Sequence, residues 1–177
     1  MGVVKRAVQS FKSPTQVKRY DVLVDNEYRP PQRTTHVLVD TSYLLKLAQS
    51  EQSPQAWLNH LLKKGAVIHL PMEVLEEFQK YTKNPKLVRR VVEIINLLYE
   101  ASAHYPTKVM IWEKEPSSSM AEARRKWGRR LAEVDKKGNS RISSADAQQL
   151  QLKEVLEKEG RVVLLTTDSD LHQLHLR

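Results

Sequence analysis

Residues 36–49 read HVLVDTSYLLKLAQ, and the junction inside this stretch decides the fold. His36 to Val39 form a short run without polar alternation, the pattern of a strand buried on both faces of a parallel sheet. After Asp40, TSYLLKLAQ changes to helical spacing, so the chain passes from strand to helix directly behind a carboxylate. The same four letters, VLVD, occur earlier in DVLVDNEY (Asp21–Tyr28). There they are followed by RPPQR, and Pro30 with Pro31 continues neither a strand ladder nor a helix interior. The first copy therefore reads as an extension strand or loop added to the sheet edge, and the second as the start of the core.

Reading onward from Asp40, strands and helices alternate. SPQAWLNHLLKKG predicts a helix capped by Ser53, opened by Pro54 and closed by Gly65. A strand follows over Ala66–Pro71, then a helix over about Met72–Lys80, and a further helix capped by Asn84 with Pro85 at its first position. KVMIW (Lys108–Trp112) reads as the next strand. The segment after Ser117 predicts a basic amphipathic helix whose Met120, Ala123, Trp127, Leu131 and Val134 face inward. A helix capped by Ser143 or Ser144 and ended by Gly160 leads to the strand RVVLLTT, and DSDLHQLHLR begins a last helix. Such alternation predicts a three-layer α/β/α sandwich with a mainly parallel central sheet. Residues 1–35 read as a basic N-terminal extension and residues 36–177 as the domain.

Composition narrows the function. The 177 residues suit one domain plus an extension. The longest apolar run is far below a membrane span, and the N-terminus lacks a secretory pattern. The expected location is inside the cell, in the cytoplasm or, in a eukaryote, the nucleus or nucleolus. With no cysteine, disulfides, iron–sulfur clusters and cysteine zinc sites are excluded. The six histidines show no paired metal motif, so a metal would be held mainly by oxygen. The 29 Lys and Arg against 21 Asp and Glu give a net charge of +8, which suits a polyanionic partner such as RNA.

In parallel sheets ligands bind at the carboxyl ends of the strands. Asp40 follows the first core strand and Asp168 the last. Glu77, with Glu73 and Glu76 as alternatives, lies in the helix after the second strand, and Asp146 in the first turn of the helix feeding the last. Asp170 is a fifth candidate. Any one of these could simply cap a helix, and a helix cannot turn Glu73, Glu76 and Glu77 all inward, so at least two of the three should face solvent. Convergence of several acids has a different meaning. Two carboxylates 4 Å apart repel by about 4 kcal/mol at an effective dielectric near 20, so a cluster calls for a cation. All-oxygen ligation selects Mg²⁺ or Mn²⁺, and such an ion activates water for phosphodiester hydrolysis.

These residues resemble the PIN-domain family of metal-dependent ribonucleases over about residues 36–175. VLVDTSYLL matches the family's first-strand Asp followed by a hydroxyl residue, and LPMEVLEEFQKY its proline, valine and glutamate pattern, with Glu77 the best match. ISSADAQQLQL is similar to the helix bearing the third acid, and VVLLTTDSDL to the strand-T-x-D ending. The resemblance implies a PIN-like nuclease domain and an endoribonuclease leaving 5′-phosphate and 3′-hydroxyl ends. It implies that Asp40, Glu77, Asp146 and Asp168 are catalytic and hold Mg²⁺ or Mn²⁺, with Asp170 as a further ligand and Thr41 and Thr166 in support. It also brings partners into view: a homodimer, an antitoxin in a toxin–antitoxin pair, or an RNA-processing complex.

The basic helix carries Arg124, Arg125, Lys126, Arg129 and Arg130, with Lys136, Lys137 and Arg141 beyond it. These residues are expected to form a phosphate-binding wall for RNA, giving affinity without sequence choice. Trp127, on the inward stripe, is expected in the core rather than stacked on a base, and His172 and His175 on the surface. Haloacid-dehalogenase-type phosphatases need a second Asp where this chain has Ser42, and a dinucleotide fold needs glycines that DTSYLL lacks. The remaining alternative is a non-catalytic PIN-like RNA-binding or scaffold subunit of an RNA-processing complex.

Overall fold

A computed structural model describes residues 17–18, 33–134, 142–158 and 160–168. Five strands form one sheet: β1 (Val17–Lys18), β2 (Thr35–Val39), β3 (Val67–Pro71), β4 (Val109–Trp112) and β5 (Arg161–Leu165). Their order is β1-β4-β3-β2-β5, and every pairing is parallel. Six α-helices cover it: α1 (Thr41–Gln49), α2 (Pro54–Lys63), α3 (Met72–Gln79), α4 (Val88–His104), α5 (Ser117–Val134) and α6 (Ser144–Leu156). The first VLVD copy, the helix expected from DSDLHQLHLR with its His172 and His175, and the Val134 side chain lie outside the described residues.

The two-residue period of the strands sorts the core into two layers. Val37, Val39, Ile68, Leu70, Val109 and Ile111 face one way and pack on Leu44, Leu58, Phe78, Ile95 and Leu98 from α1–α4. Leu38, Val67, Met110, Trp112 and Leu164 face the other way, onto Met120, Trp127, Leu131, Leu150 and Leu156 from α5 and α6. Helices on both faces of a parallel sheet make the three-layer α/β/α sandwich expected from the sequence. Trp127 is 3% exposed, a core residue as its spacing required.

Most helix ends follow local chemistry. Ser53 Oγ accepts the Ala56 N–H at the start of α2. At its end Gly65, with φ +79°, lets Ala66 N–H reach Leu61 O while its own N–H reaches Leu62 O, the paired closure that favours glycine. The expected helix at Asn84 starts later. Asn84 Oδ1 accepts the Lys86 N–H, a local bond that competes with helix, and after this turn α4 begins only at Val88. Two residues of the expected extension join the sheet: β1 lies beside β4, and Glu113 N–H donates to Lys18 O at 2.8 Å.

The sheet direction reverses at β2. From β2 the chain adds β3 and β4 on one side, then crosses to place β5 on the other. This switch point leaves a crevice beyond the carboxyl ends of β2 and β5, where the adjoining loops part.

Candidate metal and RNA site

Asp40 sits at that crevice. Its backbone N–H still bonds Leu165 O at 2.9 Å, tying it to β5. Although it is the N-cap residue of α1, its side chain makes no capping bond. The carboxylate, 3% exposed, is instead surrounded by donors. Oδ2 accepts Ser42 Oγ–H at 2.7 Å and Thr166 Oγ1–H at 2.8 Å, and Oδ1 accepts Gln149 Nε2–H at 3.0 Å. Thr166 in turn accepts the Asp168 N–H at 2.9 Å, a hydroxyl turn that seats Asp168 behind β5. Thr167 N–H donates to Ser42 Oγ at 3.0 Å, closing a ring of contacts across the switch point.

The other acids join Asp40 through their charges. Burial pushes the Glu77 carboxyl up from its ordinary value; the Thr41 hydroxyl hydrogen-bonded to it pulls down, and the charges of Asp40 and Asp168 push up again. Burial raises Asp146 to about 7, reinforced by the negative charges of Asp40, Asp168 and Glu77, against a single hydrogen bond from Ser143. The Ser143 hydroxyl also accepts the Asp146 N–H at 3.1 Å, so Asp146 takes part in a helix cap and in the acid cluster at once. Asp40, Glu77, Asp146 and Asp168 thus lie in one electrostatic neighbourhood.

The glutamate choice is settled by contacts. Glu76 forms an exposed ion pair with Lys114 at 2.9 Å. Glu73 is buried, 6% exposed, and accepts the Glu115 N–H at 2.9 Å; Glu77 alone of the three shares the field of Asp40 and Asp168. The expectation that two of these glutamates face solvent is corrected here. Glu73 and Glu77 are one turn apart on one face of α3, and both turn toward neighbouring elements.

The acid set fits a hard divalent ion. All its donors are oxygens, and among the causes acting on Asp146 no cation offsets three like charges. Among the described residues no three carboxylate or imidazole groups already close around a common point, a spacing compatible with an ion that keeps several of its waters. Asp170 lies outside the described residues.

Sequence reasoning missed Ser42 and Gln149. Gln149 stands three residues after Asp146 on α6, which puts the two on neighbouring positions of one helix face; that spacing was the available signal. The expected phosphate wall divides. Arg125 and Arg129 are exposed. Arg124 Nε–H donates to Ile142 O at 2.9 Å, steadying the entry to α6. Arg130 and Lys126 pair with Glu154 at 3.2 and 3.0 Å and flank the Trp127 ring at 4.5 and 4.8 Å. Lys136, Lys137 and Arg141 lie outside the described residues.

No helix among the described residues is long and apolar enough to cross a membrane. Compared with family models, curated proteins and solved structures, the chain matches none.

Proposed function

We propose that this chain is a divalent-metal-dependent endoribonuclease of the PIN type. The observation that carries the reading is Asp146: its carboxyl feels the charges of Asp40, Glu77 and Asp168 together, although the four come from four separate elements at one edge of the sheet. Asp40, Glu77, Asp146 and Asp168 would hold Mg²⁺ or Mn²⁺. Such an ion, when bound, supplies Lewis-acid activation of water and stabilises charge at phosphorus.

The chain's own residues prepare for that load. Ser42, Thr166 and Gln149 fix the Asp40 carboxylate with three donors, which favours its charged form. Thr41 does the same for Glu77. Asp146 keeps a proton near neutrality until a cation offsets its neighbours. Arg125 and Arg129 offer exposed charge for the phosphate chain. The net reaction is hydrolysis: water oxygen bonds to phosphorus, the P–O3′ bond breaks, and the 3′ oxygen leaves with a proton.

The test is cleavage of labelled single-stranded RNA with Mn²⁺ or Mg²⁺, comparing wild type with Asp40→Asn and Asp146→Asn. Wild type should cut and both variants should lose at least about 100-fold in rate, as when one main electrostatic contributor is removed. Equal cutting by all three would refute the site. RNA binding without cutting by wild type would instead make the chain a binding subunit.

A further inference from the structure

A cavity of about 420 Å³ opens between α5, α6 and the segment after β4, lined by Glu115, Ser119, Ala123, Lys126, Arg129 and Gln151. Its volume lies within the range of small-ligand pockets and suits one nucleotide. It adjoins the acid cluster. Glu115 N–H donates to Glu73 Oε2 at 2.9 Å, and Glu73 is one helical turn from Glu77, a rise of about 6 Å. A strand of RNA whose phosphate sits at the cluster therefore has an adjacent nucleotide within reach of this cavity.

The lining has a definite hydrogen-bonding character. Glu115 is a carboxylate only 6% exposed, so water competes little for its two acceptor oxygens. Gln151 already uses Oε1 to accept the Trp127 Nε1–H at 3.2 Å, which leaves its amide N–H groups to donate. Lys126 and Arg129, one turn apart on α5, supply positive charge on one wall. Glu122 also lines the cavity but is exposed, where water weakens discrimination.

Among the RNA bases, guanine alone presents two N–H donors side by side on its pairing edge, N1–H and N2–H, with the O6 acceptor beside them. Adenine, cytosine and uracil each present a single donor group there. A desolvated carboxylate is satisfied bidentately only by guanine, and the Gln151 amide complements O6. We infer that this cavity is a guanine-reading subsite for a nucleotide flanking the scissile phosphate, with Glu115 as the specificity-determining residue and Arg129 at the phosphate. The inference rests on the reading of the chain as an RNA-cutting enzyme, and it adds sequence choice to a surface that otherwise grips phosphate alone.

The experiment measures binding without metal, so it does not depend on cleavage. The 5′-monophosphates of guanosine, adenosine, cytidine, uridine and inosine are titrated separately into the full chain in chelator, by calorimetry and tryptophan fluorescence. Guanosine monophosphate should bind about 10-fold more tightly than the others, the scale of one good bidentate contact. Inosine monophosphate, which lacks only the N2 amino group, should fall to the level of the rest. This ligand-side comparison needs no variant. Glu115→Gln should then erase the preference, while Arg129→Ala should weaken all five ligands alike.

Equal binding of guanosine and inosine monophosphates, no preference among the five, or no binding by any at millimolar concentration would overturn the inference. A chain that cuts RNA yet shows one of those results has lost only the subsite. A chain that prefers guanosine monophosphate but never cuts RNA keeps the subsite and loses the catalytic reading.

Discussion

Replacing Asp146 by Asn should stabilise the fold at neutral and alkaline pH. In the folded chain the Asp146 carboxyl is raised from 3.8 to about 7 by burial and by its acidic neighbours. Between those values the folded state holds a proton that the unfolded state releases, so stability falls as pH rises through the window and stays reduced above it. At ~1.4 kcal/mol per pH unit the ceiling is ~4 kcal/mol. Water reaching a partly open crevice lowers this to roughly 1–2 kcal/mol. For a chain of this size that corresponds to roughly 2–8 °C in Tm. Asn removes the charge and keeps an acceptor for Ser143. Urea unfolding followed by tryptophan fluorescence from pH 5 to 8.5 should show a gain that grows toward pH 7 and then levels. Mn²⁺ at about 100 times its dissociation constant should stabilise wild type by ~2.7 kcal/mol and the variant far less. A gain independent of pH, or equal stabilisation of both proteins by Mn²⁺, would show that Asp146 is not the strained member of a cation-seeking cluster.

Two further outcomes follow from packing. Trp112 Nε1–H donates to His69 Nδ1 at 3.0 Å, and His69 Nε2 meets His36 Nδ1 at 2.8 Å, with all three residues fully buried. Indole can only donate, so His69 is held neutral with its hydrogen on Nε2, and burial with the neighbouring His36 keeps its pKa well below 6.5. Stability should therefore decline as pH drops below 6.5, where the unfolded chain gains the proton, and His69→Leu should flatten that decline; an unchanged acid limb rules this out. At Gly160 an added Cβ would meet His36 Cδ2 and Thr34 O at 2.8 Å each, so Gly160→Ala should destabilise by about 1–3 kcal/mol in chemical denaturation, and a neutral result would mean the β5 entry is looser than described.

The sheet and the four acids were legible in the sequence because both are local signals: an apolar run, a carboxylate, a change of period. What stayed hidden depends on partners far along the chain. QQLQL in α6 reads as a half-solvated helix, yet Gln148 and Gln149 are 0% and 1% exposed, because α6 packs on the sheet and on α3 together. Their amides find Glu113 O and the Asp40 carboxylate, contacts no spacing rule announces. Glu73 misled for a similar reason, since its burial follows from the Glu115 backbone 42 positions away. His36, His69 and Trp112 share a sheet face through the register of β2, β3 and β4, which sequence order alone does not set.

The strand order also fixes when this molecule becomes whole. β2, β3 and β4 can pair as they leave the ribosome, but β5 must return to the open edge of β2, pairing Thr35 with Arg161, the kind of long-range closure that folds late. Until it arrives, Asp40 lacks the Thr166 hydroxyl and Asp168 is absent from the crevice. For an RNA-cutting chain this ordering works as a delay: a half-made copy cannot assemble its site, and the message being translated is spared until synthesis has passed β5.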